Sequence, residues 1–401
     1  MKVLIECDAH LLKAPDGTYW CDAIYKYSFW ERYLTVFDEL RIVARTKNVN
    51  KIDEKWMRVD GEGIEIFEVP FYQGPWQLAK KYFKIHKILN SADLGCDAAL
   101  FRMPSQTAYM TYHHFNKNLP YAGEIVYDPT DDVNDKSNNI LMRILNKRIS
   151  SQLRKFCASA NGVSYVTEHT IQKHYPSRAR IQGESKNYFE TFYSTITLEK
   201  EAFTGPRDFT GKTSFTLVLS DVAMNSERKG ERTLLKAMRK VLDRGYDLNA
   251  IIIGDGSKKD EFIQLSKELG LSSRVEFTGL LPSADEVRAK LLKSDIFVFP
   301  TRAEGLPRGI LEAMAVGLPV LSSPVGGIPE VVDDEYLYEP DDIEGYVSGI
   351  CRLLDNTDLL NEISRTNFQK VQEYRNEVLQ EKRQHFYTWI KNLAIEKERI
   401  Y

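Results

Sequence analysis

The chain has 401 residues, 43% of them hydrophobic and 28% charged, with 23 glycines and 15 prolines. Single cores stop growing at roughly 250 to 300 residues, so two domains are expected, and the composition excludes fibrous, collagen-like and disordered classes. The net charge of −3 divides unevenly, with 27 basic and 24 acidic residues over 1–200 and 27 and 33 over 201–401; this balance argues against a nucleic-acid partner and leaves the first half able to lean on an anionic membrane.

Apolar stretches fall short of the roughly 20 residues that a spanning helix needs. The opening MKVLIEC meets Glu6 and Asp8 before a signal-peptide core can form. The expected localisation is therefore cytoplasmic, with peripheral contact at the inner face of the membrane. Cys7, Cys21, Cys96, Cys157 and Cys351 are scattered and form no Cys-x-x-Cys pair, the usage of a reducing compartment rather than of a disulfide framework or a cysteine-held metal.

In the first half, short apolar runs predict strands at 3–7, 41–44, 64–69, 98–102, 122–127 and 163–166. Helical stretches lie between most of them, the alternation of a parallel sheet. After the first strand, Asp16-Gly17 can turn the chain close to a ligand or be an ordinary surface turn; His10 lies just before it. Residues 71–89 mingle aromatic side chains with Lys80, Lys81, Lys84 and Lys87. They read either as an amphipathic helix packed on the sheet or as a basic helix in a membrane interface. Asp128 follows the fifth strand and can orient or deprotonate a hydroxyl, or cap a turn before Pro129. His113 and His114 read as surface residues. Asp131, Asp132 and Asp135 invite a magnesium reading, but paired Asp-rich motifs belong to all-helical enzymes and this chain has one, so no metal site is expected.

Around 199–214 the sequence turns charged and rich in Gly, Pro and Thr. This predicts a linker at 201–214 between an N-terminal domain, 1–200, and a second domain, 215–373. Strands follow at 215–219, 250–253, 275–277, 296–299 and 320–322, and only helical sequence after 341. The tail, 374–401, carries Tyr374, Leu379, Phe386, Trp389, Ile390 and Leu393 and needs a surface to bury them, expected to be the N-terminal domain. In open parallel sheets ligands sit at the carboxyl ends of the strands, which makes the cleft between two such domains the default site.

The most informative stretch is 299–332, FPTRAEGLPRGILEAMAVGLPVLSSPVGGIPEVV. A strand ends at Pro300, a loop holds Glu304 and Gly305, Pro307 suits the first helical position and Gly317 can stop the helix. Free amides at that helix start, beside a glycine, can cradle a diphosphate. Glu304 in the loop and Glu312 in the helix can each serve a different part of an extended ligand. An isolated pair of this kind would more often be a turn acid and a solvated helix residue.

This segment resembles the nucleotide-sugar site of retaining family-4 glycosyltransferases of the GT-B fold. The stretches IIIGDG (251–256), RVEFTGLLP (274–282), SDIFVFP (294–300) and VGGIPE (325–330) follow in that family's order and spacing. More loosely, WERY (30–33), FRMPS (101–105), EIVYDPTDD (124–132) and VTEHTIQKHYP (166–176) resemble the N-terminal domain of capsular and exopolysaccharide enzymes. The resemblance implies an α/β fold of two Rossmann-like doubly wound domains facing a central cleft, with a C-terminal helix crossing back to the first. It implies Glu304 on donor-sugar hydroxyls, Gly305, Leu306 and Pro307 at the diphosphate, and Glu312 on the ribose. Gly254 and Gly256 would line the cleft, and the loop from Arg274 to Pro282, with Val275 and Gly279, would embrace the base. Gly326 and Gly327 are either a turn or a ligand contact.

Lys229 would neutralise the diphosphate. The family's companion arginine falls at Asp221, leaving Arg228 as its substitute. On the acceptor side the resemblance points to Asp16, Gly17, His10 and Arg102, with Asp128 in place of a histidine that is absent at Val126. The implied activity is transfer of a hexosyl group, with retention, from a UDP- or GDP-linked donor to a glycan or polyprenyl-diphosphate-linked glycan in cell-surface polysaccharide synthesis. The nucleotide sugar enters as substrate, with no cofactor or metal. A nucleotide-sugar epimerase, a phosphorylase or a non-catalytic sugar-nucleotide binder would share the architecture.

Overall fold

In the computed structural model, described over residues 1–22, 24–129 and 140–398, the chain forms two compact units. Met1–Thr130, Ile140–Tyr193 and Gln380–Tyr401 make the first, and Ser194–Leu379 the second. The acidic run 131–135 lies outside the described residues.

The first unit is built on strands β1 (Lys2–Lys13), β2 (Tyr19–Cys21), β3 (Glu39–Asn48), β4 (Met57–Arg58), β5 (Ile64–Pro70), β6 (Ala98–Met103), β7 (Tyr121–Ile125), β8 (Gly162–Tyr165) and β9 (Phe189–Phe192). Seven run parallel in the order β5-β3-β1-β6-β7-β8-β9, and β2 and β4 extend the sheet antiparallel. The central strands read as continuous apolar runs because helices cover both faces; Val3, Leu4, Ile42, Val43, Ala98 and Ala99 are wholly buried. The helices of this unit are α1 (Tyr27–Leu34), α2 (Gly74–Leu89), α3 (Gln106–His114), α4 (Ile140–Ser159), α5 (Thr170–His174) and α6 (Arg178–Gln182).

The second unit has a five-stranded parallel sheet in the order β12-β11-β10-β13-β14, from β10 (Ser214–Ala223), β11 (Asp247–Asp255), β12 (Val275–Phe277), β13 (Ile296–Phe299) and β14 (Val320–Ser322). Its helices are α7 (Glu231–Asp243), α8 (Lys259–Glu268), α9 (Ala284–Leu292), α10 (Arg308–Ala315), α11 (Ile343–Leu354) and α12 (Thr357–Val371). Both sheets have the doubly wound strand order, whose direction reverses between β1 and β6 in one unit and between β10 and β13 in the other. Such a reversal opens a crevice at the carboxyl ends of the strands.

Residues 201–214 belong to the second unit and are not a free linker. Arg207 donates to the carbonyls of Leu291, Ser294 and Val316 at 3.0, 2.6 and 2.9 Å, where α9 and α10 leave carbonyls without helical partners. The strands β2, β4 and β9 lie outside the expected set: their side chains are mostly half-buried, and they lack the buried apolar run of the central strands. β7 stops at Ile125, so residues 126–128 lie beyond the strand.

The last helix, α13 (Asn376–Glu398), joins the first unit from Gln380 onward. Phe386, Tyr387 and Ile390 are wholly buried. A Cβ at Gly162 would come within 2.7 Å of Trp389 and 2.9 Å of Phe386, so a glycine is needed for this helix to seat on β8. Beneath it, Glu124 accepts hydrogen bonds from the hydroxyls of Tyr33, Tyr193 and Tyr387 at 2.7–2.8 Å. Burial alone would push this carboxyl up, but Arg102 and Arg32, with the tyrosine hydroxyls, outweigh it and hold it below the usual carboxylate range.

Candidate active site

In the second unit, the loop after β10 is pressed onto the end of β13. Gly230, with φ 89°, caps α7, and a Cβ there would lie 2.4 Å from the Pro300 carbonyl; only glycine permits both. The Arg302 amide donates to the Arg228 carbonyl at 2.8 Å. This close approach brings Lys229 onto Glu304 as an ion pair. The Lys229 ammonium also lies 5.3 Å from the Phe299 ring centroid, and Thr301 Oγ1 donates to Glu304 Oε1 at 3.4 Å. Arg228 is half-buried beside the same loop, its Nε donating to the Ala303 carbonyl at 3.4 Å.

Helix α10 begins immediately after. Pro307 is its N-cap, in extended conformation and without a side-chain cap bond, one residue earlier than the first helical position expected for it. Pro307 therefore offers the first-turn amides no side-chain cap. Gly305 is half-buried and Leu306 is packed into the core. The helix ends as expected, with Gly317 at φ 71° donating to the Met314 carbonyl. Gly326 and Gly327 buttress the Glu304 loop from behind: a Cβ on Gly326 would come within 1.9 Å of the Glu304 carbonyl, and the Gly327 amide donates to the Gly305 carbonyl at 2.6 Å. These two glycines shape the loop.

Glu312, further along α10, faces a cavity of about 630 Å³ lined also by Leu198, Glu199, Ala284, Val287 and Arg288. Burial pushes its acid up, with Arg308 opposing. Glu304 and Glu312 thus occupy different surroundings, one beside a lysine and one lining a partly open hollow.

Gly254 and Gly256 serve close backbone packing. A Cβ on Gly254 would fall 1.6 Å from the Asp221 carbonyl, and one on Gly256 would fall 2.6 Å from Met224 backbone atoms. Gly279 accepts from the Gly254 amide at 3.1 Å. Val275 opens β12 opposite Ala250 and so lies at the other end of that strand from the Gly279 loop.

Asp221 is buried, and its carboxylate accepts from the Ala223 amide at 3.2 Å. Beside it Glu231 is fully buried; burial first, and the Asp221 carboxyl second, push its acid up to about 8. A carboxyl with a raised folded pKa takes up a proton on folding, so its contribution to stability falls as pH rises from the unfolded value of about 4.3. Glu231→Gln is expected to melt above the wild type by a margin that grows between about pH 5 and pH 8. Parallel melting curves across that range would remove Glu231 as the titrating group.

In the first unit the predicted residues fare unevenly. Asp16 and Gly17 form an exposed hairpin turn between β1 and β2, with Asp16 accepting from the Thr18 amide and hydroxyl at 3.0 and 2.6 Å. The acid is satisfied locally, so the acceptor-side reading of this pair finds only a turn. Arg102 is half-buried, and the charges of Glu124 and Tyr33 outweigh burial to hold it protonated. His10 is exposed and sets its ring against Phe71, the centroids 5.6 Å apart. Asp128 is buried with both carboxylate oxygens engaged, by His174 Nδ1 and by the Tyr175 hydroxyl, each at 2.6 Å.

Two groups escaped the sequence reading. His174 is half-exposed, with one ring nitrogen on Asp128. The other group lies at the β1/β6 reversal. Among the described residues, Asp8 is the one non-glycine with a left-handed backbone, φ 59°, at a register shift in β1. Its Oδ1 accepts from Arg45 at 2.8 Å and from Thr107 at 3.1 Å, and its amide donates to the fully buried Glu6 at 3.0 Å. The available signal was an acid flanked by Cys7 and Ala9 within an apolar strand. Strained backbone of this kind clusters at functional sites.

Residues 216–370 match the family model described as Glycosyl transferases group 1. The chain is 26% identical to protein CapJ of Staphylococcus aureus over 344 residues, 86% of this chain and 84% of that protein. It is 30% identical to the 2-deoxystreptamine glucosyltransferase of Streptomyces kanamyceticus over 142 residues, 35% and 36% of the two chains. Among solved structures, sucrose-phosphate synthase of Thermosynechococcus elongatus superposes with a TM-score of 0.64 at 15% identity, covering 100% of this chain and 98% of that one. Anabaena HepE in complex with UDP superposes at 0.62, also at 15% identity, with both chains covered completely. The fold is therefore GT-B, and residues 216–370 are similar to the group 1 glycosyltransferases.

Proposed function

We propose that the chain transfers a hexosyl group from a nucleoside-diphosphate sugar to a hydroxyl of a glycan, with retention at the anomeric carbon, in the assembly of a cell-surface polysaccharide. The Lys229–Glu304 pair at the uncapped start of α10 carries this reading. A diphosphate at those amides meets a helix N-terminus and a lysine, which together stabilise the departing charge without a metal. Glu304, released by the lysine, turns to the sugar hydroxyls, and Glu312 in its cavity takes the ribose hydroxyls. Arg228 supplies the second cation in place of the family arginine that Asp221 replaces. UDP is the favoured nucleotide, by analogy with the HepE complex. A lipid-linked glycan is the favoured acceptor, and Asp128 is a positioning residue that acts through His174 on its hydroxyl.

The acid at position 221 favours one second reading, a protein that binds sugar nucleotides without turning them over. Both readings are tested by incubating the protein with UDP- and GDP-sugars, with and without glycan acceptor, and following the products by mass spectrometry and anomeric analysis. Acceptor-dependent release of nucleoside diphosphate with retained configuration is expected. Binding without turnover would establish the second reading, and turnover of donor alone to an epimer, or only with phosphate, would overturn both.

A further inference from the structure

Helix α2 is expected to bury its apolar residues and expose its charges. Its inner face does so, since Ile85 and Leu89 are 0% and 1% exposed. Its outer face does not follow the rule: Trp76 and Phe83 are 83% and 85% exposed. They stand two helical turns apart on one line, and Lys80, Lys84 and Lys87 fall within about 100° of that line. Among the described residues these three lysines have no ion-pair or hydrogen-bond partner. The helix, GPWQLAKKYFKIHKIL, contains no acidic residue. Lys81 is different, because its ammonium is held by the Phe71 carbonyl.

From this we infer that the outer face of α2 is a docking surface for an anionic lipid bilayer. An indole and a phenyl ring on one ridge suit the boundary between headgroups and acyl chains, and lysines on flexible stems reach back to the phosphates around them. Unpaired cations with no acid among them fit a surface of uniform negative charge. A protein partner would be expected to meet a mixed pattern with charges of both signs. No helix among the described residues is long and apolar enough to cross a membrane, so this contact is peripheral.

The test is flotation of the full chain with vesicles of phosphatidylcholine alone and of phosphatidylcholine doped with phosphatidylglycerol. The wild type is expected to float with the anionic vesicles and to be released by salt. Replacing Lys80, Lys84 and Lys87 together by Gln is expected to weaken this partitioning by on the order of 100-fold, about five-fold for each lysine. The double variant Trp76→Ser, Phe83→Ser is expected to abolish it while leaving the melting temperature and donor turnover unchanged, since both rings are solvated. Equal flotation with neutral and anionic vesicles, or variants that float like the wild type, would overturn the inference. A lipid-free wild type that sediments as a dimer and becomes monomeric in the double variant would also overturn it, by assigning the face to self-association.

Discussion

Glu304→Gln is expected to lower transfer by on the order of 100- to 1,000-fold, the scale seen when one preorganised polar group is removed from a site of developing charge. The substitution keeps the shape and the hydrogen-bonding capacity of the side chain and removes its charge. The loop should hold, because Gly326 and Gly327 support it through backbone atoms, which the substitution does not touch. Lys229→Ala separates the two partners. It is expected to weaken binding of the nucleoside diphosphate and to lower kcat together, whereas Glu304→Gln should leave nucleotide affinity near that of the wild type. Calorimetric titration with UDP, alongside initial rates, distinguishes the two. If Glu304→Gln transfers sugar at the wild-type rate, the donor-side assignment fails.

The largest effect on stability is expected at Glu124. Three tyrosine hydroxyls converge on it from α1, from the chain after β9 and from α13, and two arginines lie in its field. Glu124→Ala leaves the half-buried Arg102 and Arg32 without this counter-charge and strands the three hydroxyls. Removing one partner from a buried charged cluster costs about 3–5 kcal/mol. Glu124→Gln should cost less, since an amide oxygen still accepts. Because the folded carboxyl is held low, its stabilisation is present above the unfolded pKa of about 4.3 and is lost as pH falls below it. Denaturant midpoints at neutral pH and near pH 4 check both the size and the sign. A Glu124→Ala midpoint equal to the wild type would show that the cluster contributes nothing net.

What could be read in the sequence divides along physical lines. In the second unit β12, β13 and β14 lie at their expected positions and β10 and β11 extend beyond theirs; a strand buried on both faces, such as IFVF of β13, is an uninterrupted apolar run and is easily read. The resemblance implies separate donor-site roles for Lys229 and Glu304, and nothing in the sequence implies their ion pair. What brings the two together is Gly230 against Pro300, a contact between residues far apart in the chain that no local pattern encodes. The first unit was harder to read. Asp16-Gly17 carried a turn signal and is a turn, but nothing local said whether a ligand or solvent would face it. Arg102 sits in a strand whose inward and outward faces cannot be told apart when both are covered. Asp8 depends on a register shift that periodicity does not report, and the Asp128–His174 bond joins positions 46 apart. For α2 the sequence left two readings open, because the turn angles fix which residues share a face and packing decides which face is turned outward.

The tail helix has a consequence for the order in which the protein can be made. The first unit is discontinuous: its earliest strands lie near residue 2, and one of the hydroxyls on Glu124 arrives with Tyr387. Chains are synthesised from the N-terminus and domains generally fold as units. The second unit, whose described residues run without a break from Ser194 to Leu379, can close on the ribosome while the first still waits for its last helix. A fragment ending before residue 380 should therefore retain the later-made sheet and fail to complete the earlier-made one.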